Sequence, residues 1–137
     1  MEHSSAPLEG IAVIVVDAPS ETPRIEKALS QAGAAVFIAD GVEACRAILE
    51  KIQPHFAVID PEEAGGRGPQ SAAWMLFGHP EIRTIVYSSA PQSGLDGKPL
   101  WLIFKDRPVA DVVDAVLARV RDPDWLKKGG DDMRPPL

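Results

Sequence analysis

The chain has 137 residues, a net charge of −6, 45% hydrophobic and 25% charged residues, and a single cysteine. That is enough to build one domain with a real core and too little for two. The acidic balance argues against nucleic acid or an anionic membrane surface as a partner, because both require a concentrated basic face. Cys45 alone forms neither an internal disulfide nor a metal cluster.

No apolar run reaches the length needed to cross a bilayer, so no membrane span is expected. Met1 to Gly10 is polar and acidic, without the basic start and apolar stretch of a secretory signal. The expectation is a cytoplasmic protein, with residues 1–9 as an N-terminal extension. Ile11 to Val16 is a continuous, largely β-branched apolar run closed by Asp17, the pattern of a strand covered on both faces. Ser20 to Pro23 then offers hydroxyl caps and a first-turn proline. Ile25, Ala28, Leu29 and Ala32 follow at helical spacing up to Gly33.

Ala35 to Ala39 reads as a second strand ended by Asp40-Gly41, and about Val42 to Ile52 as a helix with Cys45, Ile48, Leu49 and Ile52 on one stripe. On that stripe Cys45 reads as a small core residue rather than a reactive thiol. Phe56 to Asp60 is a third strand, an apolar run that ends abruptly in a carboxylate. Glu62 to Pro69, with three glycines and a proline, is loop. A third helix is expected over Gln70 to Phe77, with Ala73, Trp74 and Phe77 facing inward.

Thr84 to Ser89 and Leu100 to Lys105 read as fourth and fifth strands, the first ending in two hydroxyls and the second in a lysine. The segment between them, Ala90 to Pro99, contains two glycines and two prolines and is expected to form no useful helix. The last helix, about Val109 to Val120, has Val109, Val112, Val113, Val116, Leu117 and Val120 on one face. Residues 122–137 read as a tail, with Trp125 and Leu126 as candidates to fold back. Strands and helices alternate, which predicts an α/β fold: a doubly wound parallel sheet of five strands in the flavodoxin-like order 2-1-3-4-5.

All strands of a parallel sheet finish on one edge, so Asp17, Asp60, Ser88-Ser89 and Lys105 meet at a common rim. In that strand order Asp17 and Asp60 flank the crevice where crossovers leave on opposite faces. Two facing carboxylates repel, and a divalent cation or the Lys105 ammonium between them would make the pair tolerable. The chemistry this suggests is phosphoryl transfer to a carboxylate. Asp60 would be the nucleophile, Lys105 and a metal would neutralise charge, and Ser89 would donate a hydrogen bond.

Val15-Val16-Asp17, the Ala39-to-Ala44 segment, Phe56 to Asp60, Ser89-Ala90 and Lys105 together resemble the receiver domain of bacterial two-component response regulators, over about residues 10–121. The resemblance implies that Asp60 is the phosphoacceptor, Ser89 the switch hydroxyl and Lys105 the phosphate-contacting lysine. It also implies backbone contacts to phosphate from Glu62 and Ala90, and a Mg2+ site made by Asp17, Asp60 and the Glu62 carbonyl. It further implies a non-enzymatic phosphoprotein of a phosphorelay. Its expected partners are a sensor histidine kinase or phosphotransfer protein and a downstream protein target, with no nucleic acid and no membrane.

The chain also departs from that pattern. Ala18 stands where the family has a second acid, which predicts weak magnesium binding unless Glu62 or Glu63 substitutes. Asp106 follows the lysine where a proline is usual, Leu102 stands at the position of the aromatic switch, and the fourth helix is missing or replaced by a loop. Three readings stay open: a stand-alone receiver phosphorylated on Asp60, a pseudo-receiver that acts as a phosphate-independent interaction module, and a flavodoxin-like domain that binds another small anion. No output domain is expected after Val120. His3, His55 and His79 lack ligand spacing and read as surface residues. Trp74 and Trp101 read as core or interface aromatics. Trp101 with Leu100 is expected to border an apolar patch covered by a second copy in a homodimer or by Trp125-Leu126.

Overall fold

Apolar runs that continue without a polar interruption have to be covered on both sides, and here they lie in the middle layer. The computed structural model describes residues 6–63, 70–89 and 101–121. Its strands are β1 (Ala12–Val16), β2 (Ala35–Ala39), β3 (Phe56–Ile59), β4 (Arg83–Ser88) and β5 (Trp101–Phe104). They form one sheet in the order β2-β1-β3-β4-β5, and every pairing is parallel. The helices are α1 (Thr22–Gln31), α2 (Val42–Leu49), α3 (Ala72–Phe77) and α4 (Ala110–Val120). Each element begins or ends within a few residues of its predicted position. Among the described residues no helix is long and apolar enough to cross a membrane.

Side chains alternate across the sheet, and the two faces feed two cores. Val13, Val15, Val58, Ile85 and Tyr87 pack under Ile25 and Leu29 of α1 and Val112 and Val116 of α4. Ile14, Val16, Ala57, Ile59 and Val86 pack on the other side with Cys45 of α2 and with Ala73, Leu76 and Phe77 of α3. Burial pushes the Cys45 thiol up to about 11, which keeps it protonated and inert, as its place on the apolar stripe predicts.

Several local expectations are corrected. Neither Ser20 nor Thr22 caps α1: Glu21 occupies the cap position without a side-chain hydrogen bond. The first turn is instead closed by the Glu21 and Thr22 amides donating to the Ala18 carbonyl. Among the described helices the hydroxyl cap is on α3, where Ser71 accepts the Trp74 amide at 3.1 Å. α2 stops at Leu49 rather than Ile52, with Glu50 as its C-cap. Trp74 points outward, 44% exposed, because the buried arc of α3 is centred on Ala72, Ala73, Leu76 and Phe77 and a residue one step round the helix falls off it. Trp101 is 9% exposed and belongs to the core under α4. The exposed ring on β5 is Phe104 at 56%, while Leu100 and Trp125-Leu126, the rest of the expected patch and its cover, lie outside the described residues.

Leu8, within the segment read as an extension, is completely buried in the same core as Ile25 and Leu29. Its amide donates to the Ala32 carbonyl at 2.7 Å. This contact passes so close to Gly33 that a Cβ there would collide with Ala6, and Gly33 also has φ 104°, where a side chain is strained. His55 and His79 have local roles. His55 Nδ1 accepts the Ala12 amide, and His79 pairs with Glu81. The tail, the fourth-helix region, Leu100 and His3 lie outside the described residues.

Candidate functional site

β1 and β3 are neighbours, and α1 leaves β1 toward one core while α3, after β3, packs on the other. The C-terminal ends of these two strands therefore bound the switch-point crevice of the sheet. Asp17 follows β1 and Asp60 follows β3, and both are buried, at 3% and 2% exposure. The Asp60 amide donates to the Val16 carbonyl, which extends the β1–β3 ladder to the acid and fixes its height on the rim.

Lys105, in the turn after β5, reaches across the end of β4 to both acids. Its ammonium donates to Asp17 Oδ2 at 2.7 Å and to Asp60 Oδ2 at 2.8 Å. The remaining oxygens take backbone donors. Asp17 Oδ1 accepts the Ala18 amide at 2.7 Å, and Asp60 Oδ1 accepts the Glu62 amide at 3.1 Å.

Burial raises the Asp17 carboxyl, and the hydrogen bonds from Lys105 and the Ala18 amide only partly offset it. For Lys105 burial acts downward, but the hydrogen bonds to Asp17 and Asp60 outweigh it and the ammonium is raised. The two shifts pull in opposite senses across one bridge. The raised lysine is the decisive one, since an ammonium shared by two acids gains from both while each acid gains from one cation.

The structure thus joins Asp17, Asp60 and Lys105, and puts the Glu62 amide, as distinct from its side chain, on Asp60. Ser89 lies exposed just beyond β4, and among the described residues no hydrogen bond joins it to the trio. Ala90 lies outside the described residues. A cleft of about 310 Å³ opens beside Asp17, but on the β2 side, lined by Pro19, Thr22, Ile38 and Asp40 and not by Asp60.

Sequence reasoning missed the support beneath the lysine. Tyr87, fully buried, donates its hydroxyl to the Arg107 carbonyl at 2.8 Å and accepts from Arg24 Nη1 at 3.2 Å. Its ring lies 5.9 Å from the Lys105 ammonium. This one residue ties α1 to the turn between β5 and α4, next to the site. The available signal was the period-two alternation that sets Tyr87 on the same face as Ile85; its partners are distant in sequence and leave no local trace.

As they stand, these residues do not fit the magnesium ion that the resemblance implies. Magnesium asks for near-octahedral oxygen donors. Here every carboxylate oxygen of the pair already holds a donor, a monovalent cation bridges the two acids, and Ala18 adds no third carboxylate. Among the described residues no group of three or more His, Cys, Asp or Glu side chains could hold a metal.

No protein-family model matches the sequence, and no curated protein matches it as a relative. Among solved structures, the chain is similar to the crystal structure of the response regulator PhyR from Brucella abortus. The TM-score is 0.60 at 18% identity, over 85% of this chain and 56% of that one, so this chain spans little more than half of that protein's length. The sheet order, the two helical layers and this likeness agree: the chain has the fold of a response-regulator receiver domain.

Proposed function

We propose that this chain is a receiver that accepts a phosphoryl group on Asp60 from a sensor histidine kinase or a phosphotransfer protein, and signals by binding a downstream protein. The observation that carries the reading is a carboxylate buried at the switch point with a lysine ammonium on it at 2.8 Å. An Asp60 oxygen attacks phosphorus as the bond to the donor breaks, P–N for a phosphohistidine or P–O for an acyl phosphate. The leaving group keeps the electron pair, and an imidazole leaving group picks up its proton from solvent.

Lys105 lies where it can neutralise charge on the phosphoryl oxygens, and the Glu62 amide adds a fixed dipole. Ser89 would move inward to donate to the phosphorylated acid. On this reading the protein is a cytoplasmic, non-enzymatic component of a phosphorelay.

A second reading, the phosphate-independent interaction module, is favoured by one feature: the acid pair is already neutralised by Lys105, with every oxygen occupied. Incubation with a small acyl phosphate and magnesium, followed by intact mass, separates the two. A single phosphoryl adduct that disappears in Asp60→Asn is expected for the receiver. No adduct in the native protein, under conditions where a known receiver is labelled, would favour the module.

A further inference from the structure

We infer that the Lys105 ammonium is the resident cation of the Asp17–Asp60 pair, and that a divalent ion binds strongly there only when Lys105 is taken away. Two side chains exposed by 2% and 3% at this edge have a lysine that is itself only 13% exposed between them. Carboxylates this buried and this close need a counter-charge, and one ammonium supplies it with a hydrogen bond to each Oδ2.

The other oxygen of each acid is turned toward a backbone amide, from Ala18 and from Glu62. Those amides orient both carboxylates toward the lysine and away from a shared octahedral centre. The Tyr87 ring, locked by Arg24 and the Arg107 carbonyl, lies 5.9 Å from the ammonium and favours its staying in place. Magnesium would have to enter beside a positive charge and strip donors from oxygens that already have them. With Ala18 in place of an acid, the site offers too little negative charge to compensate. This holds whether or not Asp60 accepts phosphate.

The test uses no phosphoryl donor, so its failure is distinct from a failure of the receiver reading. The full chain is melted in chelator and in millimolar MgCl2, with NaCl of equal ionic strength as control, and magnesium binding is followed by calorimetry. The native protein is expected to melt at the same temperature in both and to give no binding heat. Lys105→Met is expected to melt about 10 °C lower in chelator, to recover most of that loss with magnesium, and to bind it at least roughly tenfold more tightly. Lys105→Arg, which keeps the positive charge, is expected to stay insensitive.

A magnesium-dependent rise in the native melting temperature would overturn the inference, and so would a Lys105→Met protein that magnesium does not restore. If Lys105→Met is recovered only unfolded, refolding yield with and without magnesium replaces the melt. Failure to refold in both conditions counts against the inference.

Discussion

Lys105 and Arg119 both carry a positive charge into the interior, Lys105 at the edge of the sheet and Arg119 on α4. Their surroundings differ in kind. Lys105 meets two carboxylates at hydrogen-bonding distance. Arg119, 4% exposed, lies over the Trp101 ring and donates Nη1 to the Ala115 carbonyl. Among the described residues its Nε and Nη2 have no hydrogen-bond partner.

The consequence appears in the two ionisations. The acids hold Lys105 above its ordinary value, whereas burial alone pushes Arg119 down to about 9. Lys105 is there because two buried anions require a cation. Among the described residues no anion pairs with Arg119, whose long stem and flat guanidinium fill space against an aromatic face. Removing the first strands two charges, while removing the second strands none.

The largest expected effect is that of Lys105→Met, about 3–5 kcal/mol of lost stability by urea denaturation at neutral pH, because breaking a buried pair leaves uncompensated charge. A loss under about 1 kcal/mol would mean that the acids find water instead. Next is a pH effect. Because Lys105 is raised above its ordinary 10.5, its contribution is complete below that pH and is lost as pH climbs through the higher folded-state value. Denaturation curves on either side of pH 10.5 should therefore show the native protein weakening more than Lys105→Met. Parallel slopes would remove Lys105 as the cause.

Tyr87→Phe should cost about 1 kcal/mol, the hydroxyl being buried and bonded at both ends. In a double-mutant cycle it should couple to Lys105→Met, because the hydroxyl's two bonds hold the ring in place beside the ammonium. The smallest effect is expected from Arg119→Met, within about 1 kcal/mol of the native protein, since a buried charge replaced by an apolar chain of similar length is often neutral. A loss as large as that of Lys105→Met would erase the contrast between the two sites.

Much of this contrast was legible beforehand on one side only. Asp17, Asp60 and Lys105 each end a strand, and parallel strands end together, so their meeting followed from topology. Arg119 was invisible because an arginine near the end of an amphipathic helix normally faces solvent. Trp74 was misplaced because a short helix gives too few positions to define its buried arc. Leu8 was overlooked because one apolar residue in a polar segment has no periodicity to reveal it.

The sequence by itself determined the kind and order of the described elements, the parallel sheet and the acid at the end of β3, since periodicity and apolar runs are local properties of the chain. Only the tertiary structure decided that Lys105 hydrogen-bonds both acids at once, 88 and 45 positions away, that Tyr87 braces it, and that every oxygen of the pair is already engaged. Those outcomes depend on which distant side chains reach the same few ångströms, and burial then sets how much each missing partner costs.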